Sequence, residues 1–182
     1  AIEKGNLFEV SKLLNKGANP DIPDNEGNTP LMIAAKNKDL KLAQILIEAG
    51  AKLDIRNDYG ETAIMLASYH GQTELVKQLY TKGAKINHDG WNPIIYAASG
   101  GHLQVIRLLL SSGADINSTT DNGTTALMMA ARENHLDAVA LLLENGADLT
   151  AENEHGDNAL TWAEKENHQN IVKFLKSYGE SK

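Results

Sequence analysis

The chain has 182 residues, with 17 Lys plus Arg against 24 Asp plus Glu, giving a net charge of −7. That acid excess argues against nucleic acid or an anionic membrane as main partner, and no apolar run approaches the roughly 20 residues of a membrane span. Apolar residues at 42% and charged residues at 23% are those of a folded chain, and the lack of Cys excludes disulfides, thiolate metal sites and Cys nucleophiles.

Two glycine columns organise the rest. Gly17, Gly50, Gly83, Gly113, Gly146 and Gly179 follow one another at 33, 33, 30, 33 and 33 residues, and the first five are each followed by Ala. Gly27, Gly60, Gly90, Gly123 and Gly156 follow at 33, 30, 33 and 33. The two columns share one period and one three-residue deletion, which falls around Ile86 to Asp89. A fixed period in this range marks stacked supersecondary repeats. The predicted repeats are 1–23 (partial), 24–56, 57–87, 88–119, 120–152 and 153–182, in a single domain over 1–182.

The partial repeat begins inside its first helix. Its second helix carries Glu9 and Lys12 where inner repeats are mostly apolar, which predicts a polar terminal face. Each complete repeat reads as turn, helix, turn, helix. Thr29, Thr62, Asn92, Thr125 and Asn158 stand two residues after the second glycine column as N-caps. Pro30 and Pro93 suit the first helical position. Small residues follow where helices approach closely, as in Ala34-Ala35, Ala97-Ala98 and Ala130-Ala131. Second helices are apolar at a 3.6 period, and Leu13, Leu46, Leu79, Leu109, Leu142 and Leu175 form a column predicted to be buried. The Gly of each Gly-Ala pair suits the left-handed position that ends a helix. Asp58-Tyr59-Gly60 and Asp121-Asn122-Gly123 are hairpin-turn chemistry. In the last repeat Glu164, Gln169 and Lys176 replace residues that are apolar elsewhere, a second polar face that predicts an end near Tyr178.

The segments GNTPLMIAAKNKDLKLAQILIEAGAKLDIR (Gly27 to Arg56) and GWNPIIYAASGGHLQVIRLLLSSGADIN (Gly90 to Asn117) resemble ankyrin repeats. The resemblance covers essentially the whole chain and implies an all-α solenoid of helix-turn-helix units joined by β-hairpin-like loops. The array looks like a stand-alone protein of bacterial type. One departure concerns the family's TPLH motif, whose His bonds across neighbouring loops. Met32, Met65, Ile95, Met128 and Thr161 occupy that position here, so apolar packing is expected to replace the bond.

No metal-protease, P-loop, dinucleotide-binding or nucleophile-elbow string occurs. His102, His135 and His168 recur at the start of successive second helices. Packed helices lie roughly 8–10 Å apart, too far for copies to share one metal, so a structural role is expected. Asp24, Asp58, Asp121 and Glu154 fall in turns, where acids are favoured by turn chemistry. The chain is accordingly read as no enzyme, with no catalytic residue, no metal and no cofactor.

The resemblance implies a binding module whose concave face, built from hairpin tips and first helices, takes another protein or peptide. Tyr59 and Trp91 at the tips, and Tyr69 and His70 at the end of a first helix, are expected to converge there, rimmed by Asp58, Glu61 and Asp89. Turns need neither Trp nor Tyr, and aromatics make up only 5% of the chain. A monomer is expected, without nucleic acid or membrane insertion. The alternative is a regulatory or targeting segment of a larger protein, enzymatic or exported. A cytoplasmic location is expected, or a periplasmic or exported one if a signal peptide preceded Ala1.

Overall fold

Helices of this chain begin where a side-chain oxygen can take a free backbone N–H. In the computed structural model, which describes residues 6–180, the side chains of Thr29, Thr125 and Asn158 accept from the N–H three residues on, at 3.4, 3.2 and 3.0 Å. Asn92 does the same at 3.5 Å. Thr62 takes the extended backbone of an N-cap, but its buried hydroxyl finds no partner among the described residues. Such a group costs about 1–3 kcal/mol. The tail of a first helix expected at the start of repeat one falls in residues 1–5, outside the described residues.

Two compact units result, residues 1–85 and 86–182. The first contains α1 (Leu7–Asn15), α2 (Pro30–Lys36), α3 (Leu40–Glu48), α4 (Ala63–Tyr69) and α5 (Thr73–Thr81). There α2 packs on α3 and α4, and α4 on α5. The second contains α6 (Pro93–Ser99), α7 (Leu103–Ser111), α8 (Ala126–Arg132), α9 (Leu136–Glu144), α10 (Ala159–Lys165) and α11 (Gln169–Glu180). There α6 packs on α7 and α8, α8 on α9 and α10, and α10 on α11. Among the described residues no strand forms, and the one isolated bridge pairs Thr119 with Thr125. The all-α expectation therefore holds.

The small residues of the first helices let neighbouring helices close completely: Ala34, Ala35, Ala67, Ala97, Ala98, Ala130 and Ala131 are fully buried. Leu46, Leu79, Leu109, Leu142 and Leu175 are buried as expected, but Leu13 is 46% exposed. The reason is local. The helices α3, α5, α7, α9 and α11 each pack on a first helix of their own repeat, whereas among the described residues α1 has none. It leaves an apolar groove of about 370 Å³ against α2, lined by Val10, Leu13, Leu14, Ile22, Pro30 and Ile33.

The terminal acids and amines pair with each other. Lys12 reaches Glu9 at 3.4 Å, and Lys176 reaches Glu164 at 2.8 Å. Glu164 stands in the register of fully buried Ala131. The Gly-Ala glycines at 17, 50, 83, 113 and 146 take positive φ and end their helices. Gly179 does not, because α11 runs through it to Glu180.

Sulfur does more than pack at the departed His position. The Sδ atoms of Met32, Met65 and Met128 lie 3.4, 3.4 and 3.5 Å from the N–H groups of Thr29, Thr62 and Thr125. Thr161 Oγ1 accepts the Asn158 N–H at 2.7 Å. Met32, Met65, Ile95 and Met128 are buried, as apolar packing in place of the bond between loops requires, and the three thioethers, weak acceptors, also hold the caps of their own repeats.

A second column of bonds joins successive repeats. Asp21 accepts the Lys52 N–H, Asp54 the Lys85 N–H, Asn87 the Asp115 N–H and Asn117 the Asp148 N–H, each at 2.9 Å. A third joins the start of a second helix to the preceding first helix: Gln72 to Ala35 O, His135 Nε2 to Ser99 O at 3.0 Å, and His168 Nδ1 to Ala131 O at 3.1 Å. His135 and His168 therefore serve the stacking of repeats.

Candidate partner-binding face

Four of the five hairpin tips close with one backbone bond: Asp24 N–H to Asn28 O, Asn57 to Glu61, Thr120 to Thr124 and Asn153 to Asp157, at 2.9–3.0 Å. Among the described residues no such bond joins Asn87 to Trp91, the equivalent pair. The three-residue deletion explains this. Asn87 stands four residues after Gly83 and three before Gly90, so it falls in the registers of both Asp54 and Asn57. Its side chain takes the Asp54 role, accepting from Asp115 and donating to Gly113 O at 3.0 Å. The tip before Trp91 is left open.

In the first unit Tyr59 crowns its tip at 70% exposure, with its N–H held by Asn57 Oδ1 at 3.0 Å. Asp58 is exposed beside it, its N–H bonded to Glu26 O at 3.1 Å. Glu61 is drawn inward: its carboxylate accepts Asn57 Nδ2 at 2.9 Å, and Asn57 also donates to buried Asn28 at 2.9 Å. Tyr69, 46% exposed, meets the His70 ring edge-on at 5.2 Å. Tyr59 precedes α4 and Tyr69 and His70 stand at its C-terminal end, and the seven residues of α4 span roughly 10 Å at 1.5 Å rise each. Tyr59 with Asp58, and Tyr69 with His70, are thus two groups at opposite ends of α4.

In the second unit Asp89 is exposed, and Trp91 is 38% exposed and leans on Tyr96 at 5.2 Å. Sequence reasoning missed what surrounds them. Tyr96, Met129 and Trp162 share one register, 33 residues apart, on α6, α8 and α10. Trp91, Met129, Arg132 and Trp162 line one cleft of about 180 Å³, with Thr120, Asp121, Asn122 and Thr124. The Arg132 guanidinium lies over the Trp162 ring at 5.4 Å, and its Nε is 3.6 Å from Glu133. Lys165 reaches both Asp157 oxygens at 2.6 and 2.7 Å, and holds that carboxyl below its ordinary range. The signal for this cleft was the shared register of Met129 and Trp162, legible once first helices are aligned.

The turn acids have structural partners. Asp24 Oδ1 accepts the N–H groups of Glu26 and Asn28 at 2.9 Å, and its bonds to Asn28 lower its pKa. Thr150 does the same for Asp148. Among the described residues no cluster of three His or acidic side chains is placed to hold a metal, and no helix is long and apolar enough to cross a membrane.

The family model for ankyrin repeats (3 copies) matches residues 1–57, 32–120, 78–153 and 112–182. Ankyrin repeat and SOCS box protein 3 of Homo sapiens is 34% identical over 127 residues, which are 70% of this chain and 19% of that protein. The protein of the same name from Bos taurus is 36% identical over 127 residues, with the same coverage. The chain thus spans about one fifth of the length of these relatives.

Proposed function

Because the chain belongs to the ankyrin-repeat family, whose repeats generally serve as protein-interaction modules, we propose that it binds a protein or peptide on its hairpin tips and first helices. The observation that carries this reading is the exposure of Tyr59, Tyr69 and Trp91 in a chain with 5% aromatics. Tyr and Trp are the residues most enriched among interface anchors. Asp58 and Asp89 beside them favour a partner with a basic or mixed-charge surface. In this reading the array acts as a monomer, without cofactor, metal or catalytic residue.

The test is selection of a random peptide library on the full chain. Selected peptides are then measured on Tyr59→Ala, Tyr69→Ala and Trp91→Ala, with Lys77→Ala and Arg107→Ala on exposed second-helix positions as controls. Loss of affinity by about 2 kcal/mol on a tip or first-helix substitution, with thermal unfolding preserved, supports the face. Loss confined to the second-helix controls moves the site elsewhere.

A second reading is a regulatory or targeting segment of a larger protein. The small share of its relatives that the chain spans supports it, and the mass of the native protein decides between the two.

A further inference from the structure

We propose that the cleft of the second unit between Trp91 and Trp162 receives one basic side chain, lysine or arginine, of the partner. The inference rests on the reading of this face as a protein-binding surface and names the chemistry of one of its subsites.

The cleft lies between the two tryptophans, Trp91 on its tip and Trp162 on α10. Trp91, backed by Tyr96, makes one wall, and Trp162 with Arg132 makes the other. Met129, buried and slimmer than either aromatic, makes the floor. Both tryptophans of the chain line this one hollow. Its volume, about 180 Å³, is that of a single side chain: a cavity of about 150 Å³ holds a benzene-sized group. A helix or strand of the partner does not fit, whereas an unbranched side chain does.

Charge decides which side chain. The cations near the cleft already face carboxylates, Arg132 beside Glu133 at 3.6 Å and Lys165 on Asp157 at 2.6 Å. Asp121, which lines the mouth, makes no ion pair among the described residues. Its carboxylate lies over Gly90, so close that a Cβ there would stand 2.8 Å from Oδ1. Asp121 and Trp91, the residue after Gly90, line the same cleft. A cation entering the cleft meets a lining that holds both the Asp121 carboxylate and the Trp91 indole, the components of a cation–π site. Its methylene stem lies along the Met129 thioether. An aromatic guest would set its own negative face against Asp121, and an acidic guest would meet both Asp121 and a chain of net charge −7.

The test uses the full chain labelled with 15N, in which two tryptophans produce two indole N–H signals. The probes are acetylated, amidated pentapeptides with Arg, Lys, Trp or Glu flanked by two glycines on each side. The Arg and Lys peptides are expected to shift the Trp91 indole signal saturably. Asp121→Asn, an exposed change that removes the carboxylate and keeps the indoles, is expected to weaken them about threefold to fivefold, with unchanged circular dichroism. No saturable shift with either basic peptide, equal affinity in Asp121→Asn, or tighter binding of the Trp peptide overturns the proposal. The library selection separates this failure from a wider one. Peptides that depend on Trp91 but are not enriched in Lys or Arg sink the basic-side-chain proposal and leave the face standing. Peptides indifferent to every tip and first-helix substitution sink the face itself.

Discussion

Gly101 lies directly against the imidazole of His135: a Cβ built on it would stand 2.5 Å from Nδ1. The same ring places Nε2 3.0 Å from Ser99 O, so it bridges two repeats. Gly101 also has φ +66. Gly101→Ala therefore adds left-handed strain of about 1–2 kcal/mol and displaces a hydrogen bond worth about 1 kcal/mol. Urea unfolding is expected to show a loss of about 2–3 kcal/mol. A loss under about 0.5 kcal/mol, the ordinary range of a surface change, would mean that the ring moves freely.

Lys38 occupies the register of Gly101 in an earlier repeat and is held at φ 57. It is exposed, so its side chain loses little on removal. Lys38→Gly is expected to raise stability by about 1 kcal/mol, since glycine adopts that conformation without strain. Asn134 and Asn167 stand at φ 64 and 60 in the same register, and Asn tolerates that region better, so glycine there gains less. Parallel thermal melts of the three variants check the order.

Burial ranks the leucine column. Leu109 is 1% exposed, and truncation to Ala is expected to cost about 2–5 kcal/mol. Leu13 shares its register but is 46% exposed, so Leu13→Ala is expected to cost about 1 kcal/mol or less. Thr29→Ala, a lost cap, falls near 1 kcal/mol. Chemical denaturation that ranked Leu13 with Leu109 would show that α1 is covered in solution.

These contrasts mark what the sequence could reveal. N-caps and helix-ending glycines are local chemistry, and Thr29, Asn92, Gly50 and Gly113 stand where spacing placed them. Burial depends on neighbours, so Leu13 looked like Leu109 although only one is packed on both sides. The inward pull on Glu61 depends on Asn57 reaching both it and Asn28, a contact across 29 residues for the second. Trp91 was visible as an anomaly, but its companions Tyr96 and Trp162 were hidden among core positions of their helices. Only the stacking of α8 and α10 beside the Trp91 tip brings Met129 and Trp162 into one cleft with it.

Asp157 supplies a pH signature. The Lys165 ammonium, bonded to both carboxylate oxygens, holds its pKa below the ordinary value, with the Trp162 indole contributing. A carboxyl with a folded pKa below its unfolded one stabilises fully above the unfolded value, about 3.9. That contribution is lost as pH falls through the folded pKa. Asp157→Asn is expected to flatten the fall in melting temperature below about pH 4 while changing the neutral value modestly. An unaltered acid limb would assign the acid sensitivity to other carboxylates, Asp24 and Asp148 being next.

The deletion before Trp91 gives the last prediction. Asn87 performs the inter-repeat role of Asp54, so its side chain cannot also accept the N–H groups of its tip as Asn57 Oδ1 does. Asn87→Asp keeps the acceptor used at positions 21 and 54 and is expected to be mild; Asn87→Ala loses both bonds and about 1–2 kcal/mol. Inserting Ile-Arg-Asn after Asn87 restores the Asp54–Asn57 spacing and supplies a residue to close the tip. The lengthened chain is expected to keep its helicity and to be as stable as before or about 1 kcal/mol more so, through the added backbone bond. Trp91, now on a closed tip, should no longer lean on Tyr96 in the same way, and peptides that depend on Trp91 should bind the lengthened chain more weakly. Calorimetry of such peptides against both chains decides the matter. Equal affinity would show that the shortened tip has no part in recognition and is merely tolerated by the fold.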